Sequence, residues 1–140
     1  MRGQLNRNRG SINFGIYTST AFGKKYVFLP SSVVPAAKGY VKMQNDKNKN
    51  YVISLSTSNL AEVTRLQPPK LTYVIWMVTD QGKTENIGQL KSSSKLLSKA
   101  LTASFKTVTS SKPIKIFISA ENDGSAQYPG EQIILTTNVF

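Results

Sequence analysis

What most constrains this chain is the length of its apolar runs. From Tyr26 onward they are strand-sized, and each is cut off by turn-forming residues. Tyr26–Leu29 stops at Pro30, and Gly39–Met43 runs into the polar stretch 44–50 (QNDKNKN), the composition of a hairpin connection. Tyr51, Ile53 and Leu55 alternate with Val52, Ser54 and Ser56, the period of a half-buried strand. Pro68-Pro69 follows the Leu60–Leu66 stretch and forbids both helix and ladder there. Thr72–Thr79 (TYVIWMVT) is apolar on both faces, which predicts a central strand covered on both sides. Thr84–Lys91 forms a strand interrupted by Gly88, Ile114, Ile116 and Ile118 alternate after Pro113, and Gln132–Thr137 closes the chain after Pro129-Gly130.

One segment fits two templates. Leu97, Leu101 and Phe105 recur at helical spacing, whereas Leu101, Ala103 and Phe105 alternate as in a strand. The β-formers in Thr102–Thr109 favour a strand from about Lys99, with at most a helical turn at Ser94–Ser98. About seven short strands separated by turns, with no internal repeat, predict an all-β, immunoglobulin-like antiparallel β-sandwich with an extended N-terminal arm. Residues 26–140 are expected to form this single domain. Residues 1–25, polar and rich in Gly, Asn and Arg, are expected to be a flexible basic tail.

Composition narrows the chemistry. With 39% hydrophobic and 18% charged residues the chain sits near the globular average. There is no Cys and no His, which removes thiol nucleophiles, zinc–cysteine sites, the usual general base and the commonest transition-metal ligand. No stretch approaches the roughly 18 apolar residues of a membrane span. Ser11–Phe22 is too broken by polar residues to be the apolar part of a secretory signal.

Eighteen basic against seven acidic residues give a net charge of +11. Arg2, Arg7, Arg9, Lys24 and Lys25 fall in the first 25 residues, which hold no acid, and the remaining excess is scattered lysine. Nucleic-acid readers carry arginine-rich stripes with stacking aromatics, and Arg65 is the last arginine here, so this pattern argues for a solvated surface.

Individual motifs carry little chemistry. Ser92-Ser93-Ser94-Lys95 matches S-x-x-K without the S-D-N and K-T-G partners that the chemistry needs. Glu121, Asn122 and Asp123 offer half the oxygens that calcium requires and read as a turn at Gly124. Phe22-Gly23-Lys24-Lys25 lacks the earlier glycine of a phosphate loop. Trp76, in mid-strand, reads as the central core aromatic, and the acids place no carboxylate pair. No catalytic, cofactor-binding or metal-ligating residue is assigned.

The order Tyr73-Val74-Ile75-Trp76-Met77-Val78, a turn with Gly82, then Asn86-Ile87-Gly88-Gln89-Leu90 resembles the core of the extracytoplasmic C-terminal domain of anti-sigma-K-type factors. The later run through Ala120-Glu121, the turn Asn122-Asp123-Gly124-Ser125, Pro129-Gly130 and the strand Ile133–Thr137 extends the likeness over residues 36–137. The resemblance implies an exported immunoglobulin-like module with no catalytic residues. Full members carry a cytoplasmic helical domain and a membrane span that these residues do not show, so sigma-factor binding is not carried over. It also implies that the Trp76 face of Thr72–Thr79 points inward, leaving the Tyr73 face to be covered by the Tyr26–Val34 arm or a second subunit.

These readings lead to three functional expectations. The first is a non-enzymatic, exported β-sandwich binding or sensor-like module of a bacterial envelope, periplasmic or at the cell surface, with a protein partner or self-association. The second is a structural subunit of a surface assembly that uses the arm for strand addition. The third, disfavoured by the arginine count, is a basic nucleic-acid-binding protein.

Overall fold

The computed structural model describes residues 23–90 and 101–140. Eight strands follow one another: β1 (Lys24–Val27), β2 (Lys38–Asn45), β3 (Tyr51–Leu60), β4 (Thr72–Thr79), β5 (Thr84–Leu90), β6 (Leu101–Thr109), β7 (Pro113–Glu121) and β8 (Ile133–Thr136). A 3-10 turn at Val63–Arg65 links β3 to β4. The strands form two antiparallel four-stranded sheets, ordered β1-β2-β3-β6 and β5-β4-β7-β8. We call these sheet 1 and sheet 2. The expected all-β antiparallel sandwich is therefore the fold.

The consecutive strands β3 and β4 lie in different sheets and pair with the consecutive strands β6 and β7. That crossed pairing is how immunoglobulin sandwiches interlock B with E and C with F. The eighth strand, one more than the expected seven, comes from the N-terminal arm. β1 begins at Lys24, so Lys24 and Lys25 belong to the sandwich and not to a tail. The rest of the expected tail, residues 1–22, and the expected helical turn at Ser94–Ser98 lie outside the described residues.

The core lies between the sheets. Val41, Ile53 and Leu55 from sheet 1 meet Tyr73, Ile75, Met77, Ile116 and Ile118 from sheet 2, all fully buried or nearly so. Each such aliphatic side chain contributes about 1.5–3 kcal/mol by leaving water. The inner residues of β3 are the odd-numbered set that sequence alternation picks out. Near its end β3 bends at an irregularity between Thr57 and Leu60, where Asn59 takes a left-handed conformation (φ 59°) that asparagine tolerates.

The face of β4 corrects the sequence reading. Tyr73, Ile75 and Met77 point into the core, and Trp76 points away from it. Both rows of TYVIWMVT are apolar, so periodicity alone did not choose between them. The deciding fact is the filling of the core, where Tyr73 reaches across the sandwich to donate its hydroxyl to the Ala61 carbonyl at 2.5 Å. Neither the arm nor a second subunit is needed to cover Tyr73.

The arm has a different task. Phe28 donates its N–H to Gly39 of β2, and Leu29 donates to Thr136 of β8, so the segment bridges the two sheets along one side. Ser31 Oγ then accepts from the N–H groups of Val33 and Val34 and turns the chain, while Phe28 and Val34 bury themselves at the core's edge. Gly88 sits at a bulge in β5 with φ 152°, and a Cβ there would come within 2.5 Å of the Phe105 ring. Glycine thus lets an aromatic from sheet 1 press against the backbone of sheet 2.

Candidate binding face

The two sheets present unlike surfaces to the outside. On sheet 2 the long β7–β8 connection, residues 122–132, folds back over the outer face. Asn86 Nδ2 holds it by donating to the carbonyls of Gly124 (2.9 Å) and Ala126 (3.0 Å). Gly124 lies so close to the Gln89 side chain that a Cβ would overlap it. Beneath the loop, Trp76 Nε1 donates to Ser119 Oγ at 2.8 Å, Ser119 donates to Glu121 Oε2 at 2.5 Å, and the same carboxylate accepts the Gly130 N–H at 2.7 Å. Trp76 has no exposed surface and lies in stacked orientation with Phe117, centroids 6.3 Å apart.

Trp76, Glu121 and Pro129-Gly130, which carry part of the family resemblance, thus meet in one latch. Their role there is structural. Glu121 is buried and engaged, and Asp123 accepts from the N–H and hydroxyl of Ser125, which holds its carboxyl below the usual range. The carboxylates of Glu121 and Asp123 are therefore engaged, one in the latch and one in a turn. Asp46 is likewise held low by the backbone N–H groups of Asn50 and Asn48 in the β2–β3 turn. Burial pushes the Tyr73 hydroxyl up to about 12 and also raises Tyr26. The S-x-x-K residues Ser92 and Lys95 lie outside the described residues. Comparison with protein-family models, with characterised proteins and with solved structures finds no match to this chain.

Sheet 1 has no such cover among the described residues. Its registers place Lys25 opposite Lys42, Lys42 opposite Ser54, and Ser54 opposite Lys106, one row across all four strands. The next row on the same face is Val27, Tyr40, Ser56 and Ser104. With strands about 4.8 Å apart, Lys25 and Lys106 stand roughly 14 Å from each other across the row. Lys25 Nζ lies 4.3 Å and Lys42 Nζ 6.0 Å from the Tyr40 ring centroid, a cation–π arrangement that steadies both ammonium groups over the ring. Tyr40, Lys42, Ser54, Ser56, Ser104 and Lys106 line a shallow trough of about 560 Å³.

All seven acids of the sequence lie off this face. Asp46 is in the β2–β3 turn, Glu62 and Asp80 follow β3 and β4, Glu85 is on β5, and Glu121, Asp123 and Glu131 belong to β7 and the latch loop. The described ion pair, Arg65 with Glu62, is also elsewhere. A surface with several cations, hydroxyl donors and no counter-charge attracts anions.

The lysine row is absent from the sequence reading because its members are far apart in the chain. One signal was available. The polar residues alternating with the core positions of β2, β3 and β6, among them Lys42, Ser54, Ser56, Ser104 and Lys106, are those that must share the outer face once the strands pair.

Proposed function

We propose that the chain is a non-enzymatic recognition module of the bacterial envelope that binds an anionic partner through the outer face of sheet 1. The observation that carries this reading is the row Lys25, Lys42, Ser54 and Lys106 on a face without acids. A lack of Cys and His supports recognition over catalysis, since neither a thiol nor an imidazole is available to move a proton. The envelope setting rests on the resemblance of residues 36–137 to the anti-sigma-K C-terminal domain. Among the described residues, no helix is long and apolar enough to cross a membrane.

Strand addition by the arm is the second reading: one side of Tyr26–Leu29 is bonded to β2 and β8 of its own sandwich, and a partner strand would add at the outer edge of β1.

The test compares two triple variants of equal charge change on a dextran-sulfate column. Lys25→Ala/Lys42→Ala/Lys106→Ala removes the row, and Arg2→Ala/Arg7→Ala/Arg9→Ala removes the arginines near the start of the chain. Binding through the face predicts that the first variant elutes at much lower salt than the second, since each lost contact to an anion removes its share of counterion release. Equal elution, or a larger loss for the arginine variant, refutes the reading.

A further inference from the structure

Resting on that reading, we infer that the partner is a linear acidic polysaccharide lying across the strands of sheet 1. Three features of the face select this class among polyanions.

First, among the described residues its cations are lysines, with no arginine on its strands. Lysine offers a mobile point charge without the planar fork that reads phosphates in pairs. Second, its aromatic residue, Tyr40, has Lys25 and Lys42 over the ring. A single-stranded nucleic acid needs open aromatic platforms for its bases, and this ring is occupied. Third, the middle of the face is hydroxyl, with Ser54, Ser56 and Ser104 between and beside the lysines. A membrane surface is met with apolar side chains that enter the acyl boundary, and the exposed valines of this face, Val27 and Val108, stand on its two outermost strands.

A sugar chain with regularly spaced carboxylates matches what remains. Its anionic groups meet Lys25, Lys42 and Lys106, and its neutral hydroxyls exchange hydrogen bonds with the serines. The roughly 14 Å row, three interstrand steps long, accommodates a short run of linked sugars placed across the strands. The trough along Tyr40, Lys42, Ser54, Ser56, Ser104 and Lys106 is open, as an internal segment of a polymer requires.

The experiment titrates the full chain, in buffer of one fixed salt concentration, with polygalacturonate, single-stranded oligo-dT and phosphatidylglycerol vesicles. Three variants are measured beside it: Lys42→Ala, the triple lysine variant, and Ser54→Val/Ser56→Val. Polygalacturonate is expected to bind tightest. Lys42→Ala should weaken it about threefold, the effect of one exposed charge pair. The triple variant should weaken it at least about tenfold. Ser54→Val/Ser56→Val should weaken polygalacturonate while leaving oligo-dT within about twofold, because hydroxyl exchange matters to the sugar alone. Tighter binding of oligo-dT or of vesicles, with the triple variant still defective, overturns the polysaccharide and keeps the anion-binding face. So does a serine variant that binds polygalacturonate like the parent. Full polygalacturonate binding by the triple variant, or no binding to any of the three probes, overturns both.

Discussion

The outer face of sheet 2 is roofed by its own chain, and among the described residues nothing covers the outer face of sheet 1. The difference tracks the side chains beneath. Sheet 2 turns Val74, Trp76 and Phe117 outward, a patch that would be costly to leave in water, and residues 122–130 lie over it. Sheet 1 turns out Lys42, Ser54, Ser56, Ser104 and Lys106, which are stable in water without a lid. One sandwich therefore holds a second small core on one side and an open surface on the other. The second core stabilises one face, and the proposed recognition uses the opposite one.

The strongest attempt to break this contrast is Trp76→Ala. If the tryptophan anchors the roof, its truncation costs about 3–5 kcal/mol, read as a lowered urea midpoint. Native Trp76 should emit blue-shifted fluorescence and resist aqueous quenchers. A cost below about 1 kcal/mol, as for an exposed residue, would mean that the roof is open in solution.

Next in size is Glu121→Ala. It leaves the Gly130 N–H and the Ser119 hydroxyl without their acceptor, and the expected loss is about 1–3 kcal/mol. Hydrogen exchange should quicken at the amides of residues 124–130 and stay unchanged on β2 and β3. Uniform acceleration across both sheets would show that the latch is not a separate feature.

Tyr73→Phe tests the inner face of the same strand. Losing the hydroxyl bond to Ala61 should cost about 1 kcal/mol. The pH dependence sharpens the assignment. Tyr73 ionises near 12 in the fold and near 10 when unfolded, so its contribution is intact below about pH 10 and declines as pH rises towards 12. Denaturant titrations over that range should show the parent losing stability that Tyr73→Phe does not lose.

The smallest effect belongs to the bare face. Lys42→Ala and Lys106→Ala should each move the unfolding free energy by no more than about 0.5 kcal/mol. A larger loss would turn the lysine row from a recognition surface into part of the scaffold.

Most of the strand series was legible in the sequence, because runs such as Tyr51–Ser56 carry their own period and Pro, Gly and Asn mark their ends. The orientation of β4 was not, since Tyr73, Ile75 and Met77 are as apolar as Val74, Trp76 and Val78. What decides between them is the filling of the core around Tyr73 on one side and, on the other, a loop held over Trp76 by Asn86 across a separation of 38 and 40 residues, and no local pattern reports either. The candidate binding face was half legible. Alternation separated the two faces of β3 and of β6, but Lys25, Lys42 and Lys106 become neighbours only through the β1-β2-β3-β6 order.

Phe140 lies on the Tyr26 ring, with centroids 3.8 Å apart and planes 10° from parallel, and donates its N–H to Ile114. β1 and the segment 138–140 thus meet at one corner of the sandwich, and this shapes how that corner bears load. Tension applied between Gly23 and Phe140 would part the two rings first. It would then peel β1 from β2, and residues 138–140 from β7, one hydrogen bond at a time. The same load spread along parallel, oppositely pulled strands would have to break a whole ladder at once. A sandwich tethered at this corner yields like a zipper, while the lysine row across the strands keeps its spacing until β1 is drawn away.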